Sequence, residues 1–68
     1  MVKMNEVFMS RKNGELYQVI ERLTGHELSQ NTTTFILYGF RNIKDRTFYG
    51  YVRSKYLSGH FAKLGVEQ

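Results

Sequence analysis

Thr33-Thr34-Phe35-Ile36-Leu37-Tyr38-Gly39-Phe40 is the stretch on which the fold turns. It is dense in β-branched and aromatic residues, which suit the pleated, half-buried surface of a strand. Its apolar part, Phe35 to Phe40, is the longest apolar run in the chain. A membrane-spanning helix needs about 20 such residues, so this run is far too short to be one. On its C-terminal side, Arg41 to Arg46 reads as a turn built around Asn42 and Asp45. Thr47 to Arg53 then reads as a second strand. Strict alternation puts Phe48, Gly50 and Val52 on one face and Thr47, Tyr49, Tyr51 and Arg53 on the other. Gly39 and Gly50 lie inside these strands and signal sharp bending or close backbone approach, as small barrels need.

Working back towards the N-terminus, Gly25 to Thr32 is polar and reads as a loop. Glu15 to Thr24 reads as a long strand. Its two faces carry Tyr17, Val19, Glu21 and Leu23, and Leu16, Gln18, Ile20 and Arg22. Neither face is wholly apolar, which implies a bulge or a twist. Leu16, Ile20 and Leu23 also fit helical spacing. The Asn13-Gly14 pair before them is the strongest short-range hairpin signal, and it decides for a strand with Val19-Ile20. Ser10 to Gly14 is therefore a turn, and Lys3 to Met9 a first strand.

After Arg53 the period changes. Ser54 suits a helix N-cap, and Leu57, Phe61 and Leu64 fall on one helical face. Gly65 stands where a C-terminal cap would, and Gly59 weakens the helix by about 1 kcal/mol relative to Ala. The prediction is a short helix docked through Leu57 and Phe61. The predicted core is Phe35, Leu37, Phe48, Val52, Leu57 and Phe61, joined by Val19 and Ile20.

The fold class that follows is mainly β. Residues 1–68 form a single domain, a small barrel or half-barrel of four to five antiparallel strands with a short C-terminal helix. So short a chain buries only about 60% of the surface its unfolded form exposes. There is no Cys, so disulfides and thiolate metal sites are excluded, which fits a reducing compartment. The segment Met1 to Glu6 is followed by no apolar h-region, so no signal peptide is expected. The chain reads as soluble and cytoplasmic, without membrane contact.

The segment Gly14-Glu15-Leu16-Tyr17-Gln18-Val19-Ile20, then Tyr38, then Tyr51-Val52-Arg53 with Leu57 and Phe61 after it, resembles small bacterial and phage SH3-like proteins in layout. The resemblance covers most of the chain. It implies an SH3-like barrel and a phage-type or mobile-element accessory role.

Catalysis needs a nucleophile, or an acid and base within reach of each other. Asp45 is the only Asp and sits between Lys44 and Arg46 as a turn former. His26 and His60 are the only imidazoles, with neither the i, i+4 spacing nor the H-E-x-x-H pattern of a zinc site. No phosphate-binding glycine loop is present. The reading is a non-enzymatic protein with no metal and no cofactor.

Binding is better supported. Ten Lys and Arg against six Asp and Glu give a net charge of +4, which favours polyanions, though it also serves plain solubility. Five Tyr and five Phe are more rings than a small core hides. Tyr49 and Tyr51 beside Arg53, and Tyr38 and Phe40 beside Arg41, interleave rings with cations, and Lys55 follows closely. Tyr38, Arg41, Tyr49, Tyr51, Arg53 and Lys55 are therefore the candidate site for single-stranded DNA or RNA. Arg11, Lys12, Lys44 and Arg46 would extend its electrostatic footprint. The plain alternative packs these tyrosines beneath the helix. A protein interface is the other functional reading, since Tyr, Phe and Arg are enriched there too. It includes a homodimer, a strand edge at Lys3 to Met9 that pairs with a partner, and an accessory protein that blocks a host factor.

Overall fold

The computed structural model describes residues 2–27 and 33–66. Its elements, in chain order, are β1 (Glu6–Ser10), β2 (Leu16–Glu27), β3 (Thr33–Asn42), β4 (Phe48–Arg53), α1 (Ser54–His60) and β5 (Phe61–Val66). All strand pairings are antiparallel, and the sheet order is β4-β3-β2-β1-β5. Four strands meander, the helix crosses over, and β5 returns to pair with β1. This is the mainly β, antiparallel fold with a short helix near the C-terminus that the sequence predicts. Among the described residues no helix is long and apolar enough to cross a membrane. Of the loop expected at Gly25 to Thr32, residues Gly25 to Glu27 belong instead to β2. The remainder, residues 28–32, lies outside the described residues.

Two turns set the registers, and side chains hold both. In the first, the Ser10 hydroxyl accepts hydrogen bonds from the Lys12 and Asn13 amides, and Asn13 Oδ1 accepts one from the Glu15 amide at 2.8 Å. In the second, Asn42 Oδ1 accepts from the amides of Lys44 and Asp45. The Asp45 carboxylate accepts from the hydroxyl and the amide of Thr47. Those two bonds, the hydroxyl first, hold the Asp45 carboxyl below its ordinary range. They fix the turn that aims β4.

The core is Phe8, Tyr17, Val19, Tyr38, Phe40, Leu57 and Phe61, with Val2, Ile36 and Val52 at its margin. Phe40 stacks on Phe61 with ring centroids 4.9 Å apart, and Phe8 meets both rings edge-on. This differs from the expected core. The even positions of β3, Tyr38 and Phe40, face inward, whereas Phe35 and Leu37 are half-buried on the other side. Ile20 is the extra residue of a β2 bulge between Val19 and Glu21, and it too is half-buried. Phe48 is 52% exposed. The β3–β4 register steps from Phe40↔Gly50 to Arg41↔Phe48, so Tyr49 is a bulge residue and the alternation inverts across it.

The C-terminal segment is also corrected. The helix stops at His60, and Phe61 begins a strand while still filling the core. Leu64, expected on the helix face, is 56% exposed. It is skipped between the pairs Val7↔Gly65 and Phe8↔Lys63. Gly65, with φ +143, supplies the backbone conformation of that bulge rather than a helix cap. Arg53, not Ser54, occupies the cap position, and no side chain caps it. β1 is paired on both sides, so the edges of the sheet are β4 and β5 and not Lys3 to Met9.

Glu6 is the acidic residue of the buried set. Its carboxylate accepts from the Lys3 amide at 2.9 Å and pairs with Lys63 Nζ at 3.3 Å. Lys63→Met keeps the stem but removes the counter-charge. It should cost about 1–3 kcal/mol, the penalty for a buried acceptor left short of partners. The urea midpoint measures this, and an unchanged midpoint would show that the Lys3 amide alone suffices.

Candidate nucleic-acid interface

Strands β4, β3 and β2 turn one face to the core and the other outward. The outward face carries Phe48, Tyr51 and Arg53 from β4. It carries Phe35, Leu37, Gly39 and Arg41 from β3, and Gln18, Glu21 and Leu23 from β2. The registers that align them are Arg41↔Phe48, Gly39↔Tyr51, Leu37↔Arg53, Gln18↔Arg41, Glu21↔Gly39 and Leu23↔Leu37. At its centre, Phe48 and Tyr51 meet edge-to-face with centroids 5.2 Å apart, and both are about half exposed. They lie over Gly39. A methyl group there would sit 3.1 Å from the Tyr51 ring and 3.4 Å from the Phe48 ring, so the missing side chain lets the rings settle on the sheet.

The ring pair is held in place. The Tyr51 hydroxyl donates to Glu21 Oε1 at 2.5 Å, and that bond raises the Tyr51 pKa, so the phenol stays a protonated donor. Arg53 places its guanidinium 4.1 Å from the centroid of the Phe35 ring. Arg41 donates to Gln18 Oε1 at 3.3 Å. Two planar cations thus flank two exposed rings on one surface, with Leu23 and Leu37 beyond.

Of the six residues chosen from sequence, three meet here: Arg41, Tyr51 and Arg53. Tyr38 is 4% exposed and belongs to the core. Tyr49 lies on the opposite face from Tyr51, packed edge-on against Tyr17 at 4.8 Å and Phe61 at 5.9 Å. The bulge that displaces Phe48 separates these two tyrosines, which simple alternation had placed together. Lys55 is on α1, with Nζ 5.1 Å from the Tyr56 ring centroid. The residue that sequence reasoning missed is Phe48, which it assigned to the core. The signal that would have found it is Gly50, since a glycine inside a strand marks a bulge.

Gly50 has φ +141, a region that only glycine enters without strain. Gly50→Val should cost about 1–3 kcal/mol and disturb the Phe48–Tyr51 pair. A melting curve matching that of the parent would show that β4 pairs equally well without its bulge.

Among the described residues, no group of three or more His, Cys, Asp or Glu is placed to hold a metal ion. No protein-family model, curated protein or solved structure matches the chain.

Proposed function

We propose that this protein is a non-catalytic binding module that holds single-stranded DNA or RNA on the outward face of β4, β3 and β2. The observation that carries this reading is the exposed Phe48–Tyr51 pair with Arg41 and Arg53 on the same surface. Every base has a π-face, so two open rings accept successive bases with little regard to sequence. Arginines on the same surface meet the phosphates between them, and the net charge of +4 draws the strand in. The Glu21 carboxylate, the one acid among the described residues assigned to this patch, is engaged by the Tyr51 hydroxyl.

Fluorescence anisotropy with labelled single strands at low salt tests the reading. Affinity should fall steeply as salt rises. Arg41→Gln should weaken all sequences alike and lower the salt slope by about one ion. No binding at low salt would reject the proposal.

One observation favours a protein partner instead. Leu23 and Leu37 extend the patch with apolar surface, and β4 is a sheet edge open to strand addition. A second copy, or a host protein blocked by a phage-type accessory protein, would use that edge. Sedimentation velocity would then show self-association or a protein complex, while single strands fail to bind.

A further inference from the structure

We propose that the cleft between the β1–β2 turn and the junction of α1 with β5 is a second subsite. It takes the phosphate of one nucleotide unit whose base lies against Tyr49. This deepens the single-strand reading and rests on it for a strand as the source of the nucleotide.

The cleft has a volume of about 280 Å³, and Arg11, Lys12, His60, Tyr49 and Phe61 stand among its lining residues. That is just under the smallest common ligand pockets, about 300–1,000 Å³, so it suits one nucleotide rather than several. None of its described lining residues carries a carboxylate. Two cationic side chains and an imidazole thus belong to the lining, with no acid among the described residues there, which is a local field for an anion.

The frame that holds these groups is fixed. The Arg11 amide donates to the His60 carbonyl at 2.9 Å, and Arg11 Nε donates to the Ser58 carbonyl at 3.0 Å. The turn is therefore tied to the end of the helix. A guanidinium has five N–H donors, and the Ser58 contact uses one of them. The Lys12 amide is held by the buried Ser10 hydroxyl at 3.2 Å. Tyr49 is gripped edge-on by Tyr17 and Phe61, yet half of it is exposed. A ring so clamped loses little freedom when a base stacks on it.

The bulge gives this site its connection to the first. Phe48 and Tyr49 are neighbours in the chain but point to opposite sides of β4, which is an edge of the sheet. A strand that leaves the outward rings across this edge meets Tyr49 next, with Arg11 and Lys12 around it.

The probes are adenosine monophosphate, adenosine, inorganic phosphate, and an oligothymidine with and without a 5′-phosphate. Each is added to the ¹⁵N-labelled full chain, and amide shifts are followed. Adenosine monophosphate should move the Lys12, Gly59 and His60 signals, and adenosine or phosphate alone should move them less. Lys12→Gln alters an exposed side chain and should weaken this binding about tenfold, as loss of a charge-assisted contact does. Tyr49→Leu should weaken it while inorganic phosphate binds as before. A 5′-phosphate that tightens the oligothymidine identifies a strand end as the source, whereas equal binding of both forms that Lys12→Gln weakens identifies an internal phosphate. Millimolar adenosine monophosphate that leaves the cleft signals unmoved overturns the subsite. So does strand binding that needs Tyr51 but is indifferent to Lys12 and Tyr49, and in that case the outward-face proposal survives. Nucleotide binding at the cleft with no strand bound at any salt has the reverse meaning: the subsite stands and the single-strand reading falls.

Discussion

Phe40→Ala is expected to leave most of the chain unfolded at room temperature. Phe40 has no exposed surface, stacks on Phe61, and receives the edge of Phe8. Truncating a ring so enclosed costs about 3–5 kcal/mol, partly from lost transfer energy and partly from the cavity left behind. A domain of this length has roughly 3–10 kcal/mol to lose, at about 0.05–0.15 kcal/mol per residue. The loss is therefore comparable with the whole stability. Near-ultraviolet circular dichroism and a urea titration measure it directly. Phe48→Ala is the matched control, because the same chemistry is removed from a half-exposed position. It should cost only about 0.5–1.5 kcal/mol, the worth of an exposed ring pair, and leave the chain folded. A stable Phe40→Ala beside an unfolded Phe48→Ala would mean that the inner and outer faces of the sheet have been exchanged.

The double variant Phe48→Ala with Tyr51→Ala is expected to keep the fold and lose single-strand binding by at least about tenfold, since each stacking ring contributes substantially to affinity. The two rings touch, so their separate effects should not add. Neither residue carries a charge, and the salt slope should therefore stay that of the parent. Arg41→Gln should do the opposite, changing the slope and leaving stacking intact. Anisotropy titrations over a series of salt concentrations separate the two behaviours. Parental affinity in the double variant would move the binding site off this face.

The strands of the meander and the hairpin at Asn13-Gly14 were legible because their causes are local. Turn residues and β-formers announce themselves within a few positions. The face each side chain takes was less legible, because bulges break the period of two. At Tyr49 one extra residue sends Phe48 outward and Tyr49 inward, and nothing but Gly50 hints at it. Tyr38 reads as a site ring for a different reason: its burial depends on which face of β3 meets the ring of Phe61, a non-local fact. The last strand was hidden by a coincidence of spacing. Leu57, Phe61 and Leu64 satisfy a helical period, yet Phe61 reaches the same core from a strand once the helix ends at His60. The candidate site was half legible. Cations beside rings were visible as types, but only the register between strands decides which of them share a surface.

The pairing of β5 with β1 has a consequence for how the chain acquires its structure. Ser10 lies opposite Phe61, so this ladder closes a loop of roughly fifty residues, while each other ladder joins strands that are consecutive in the chain. By chain statistics, closing a loop ten times longer costs about 2 kcal/mol more. The β1–β5 ladder should therefore form late, and folding should be slow for so small a chain, in the range of about milliseconds to seconds. The ring that stacks on Phe40 arrives on that last strand. During synthesis the inner face of the meander must wait, uncovered, until Phe61 has left the ribosome.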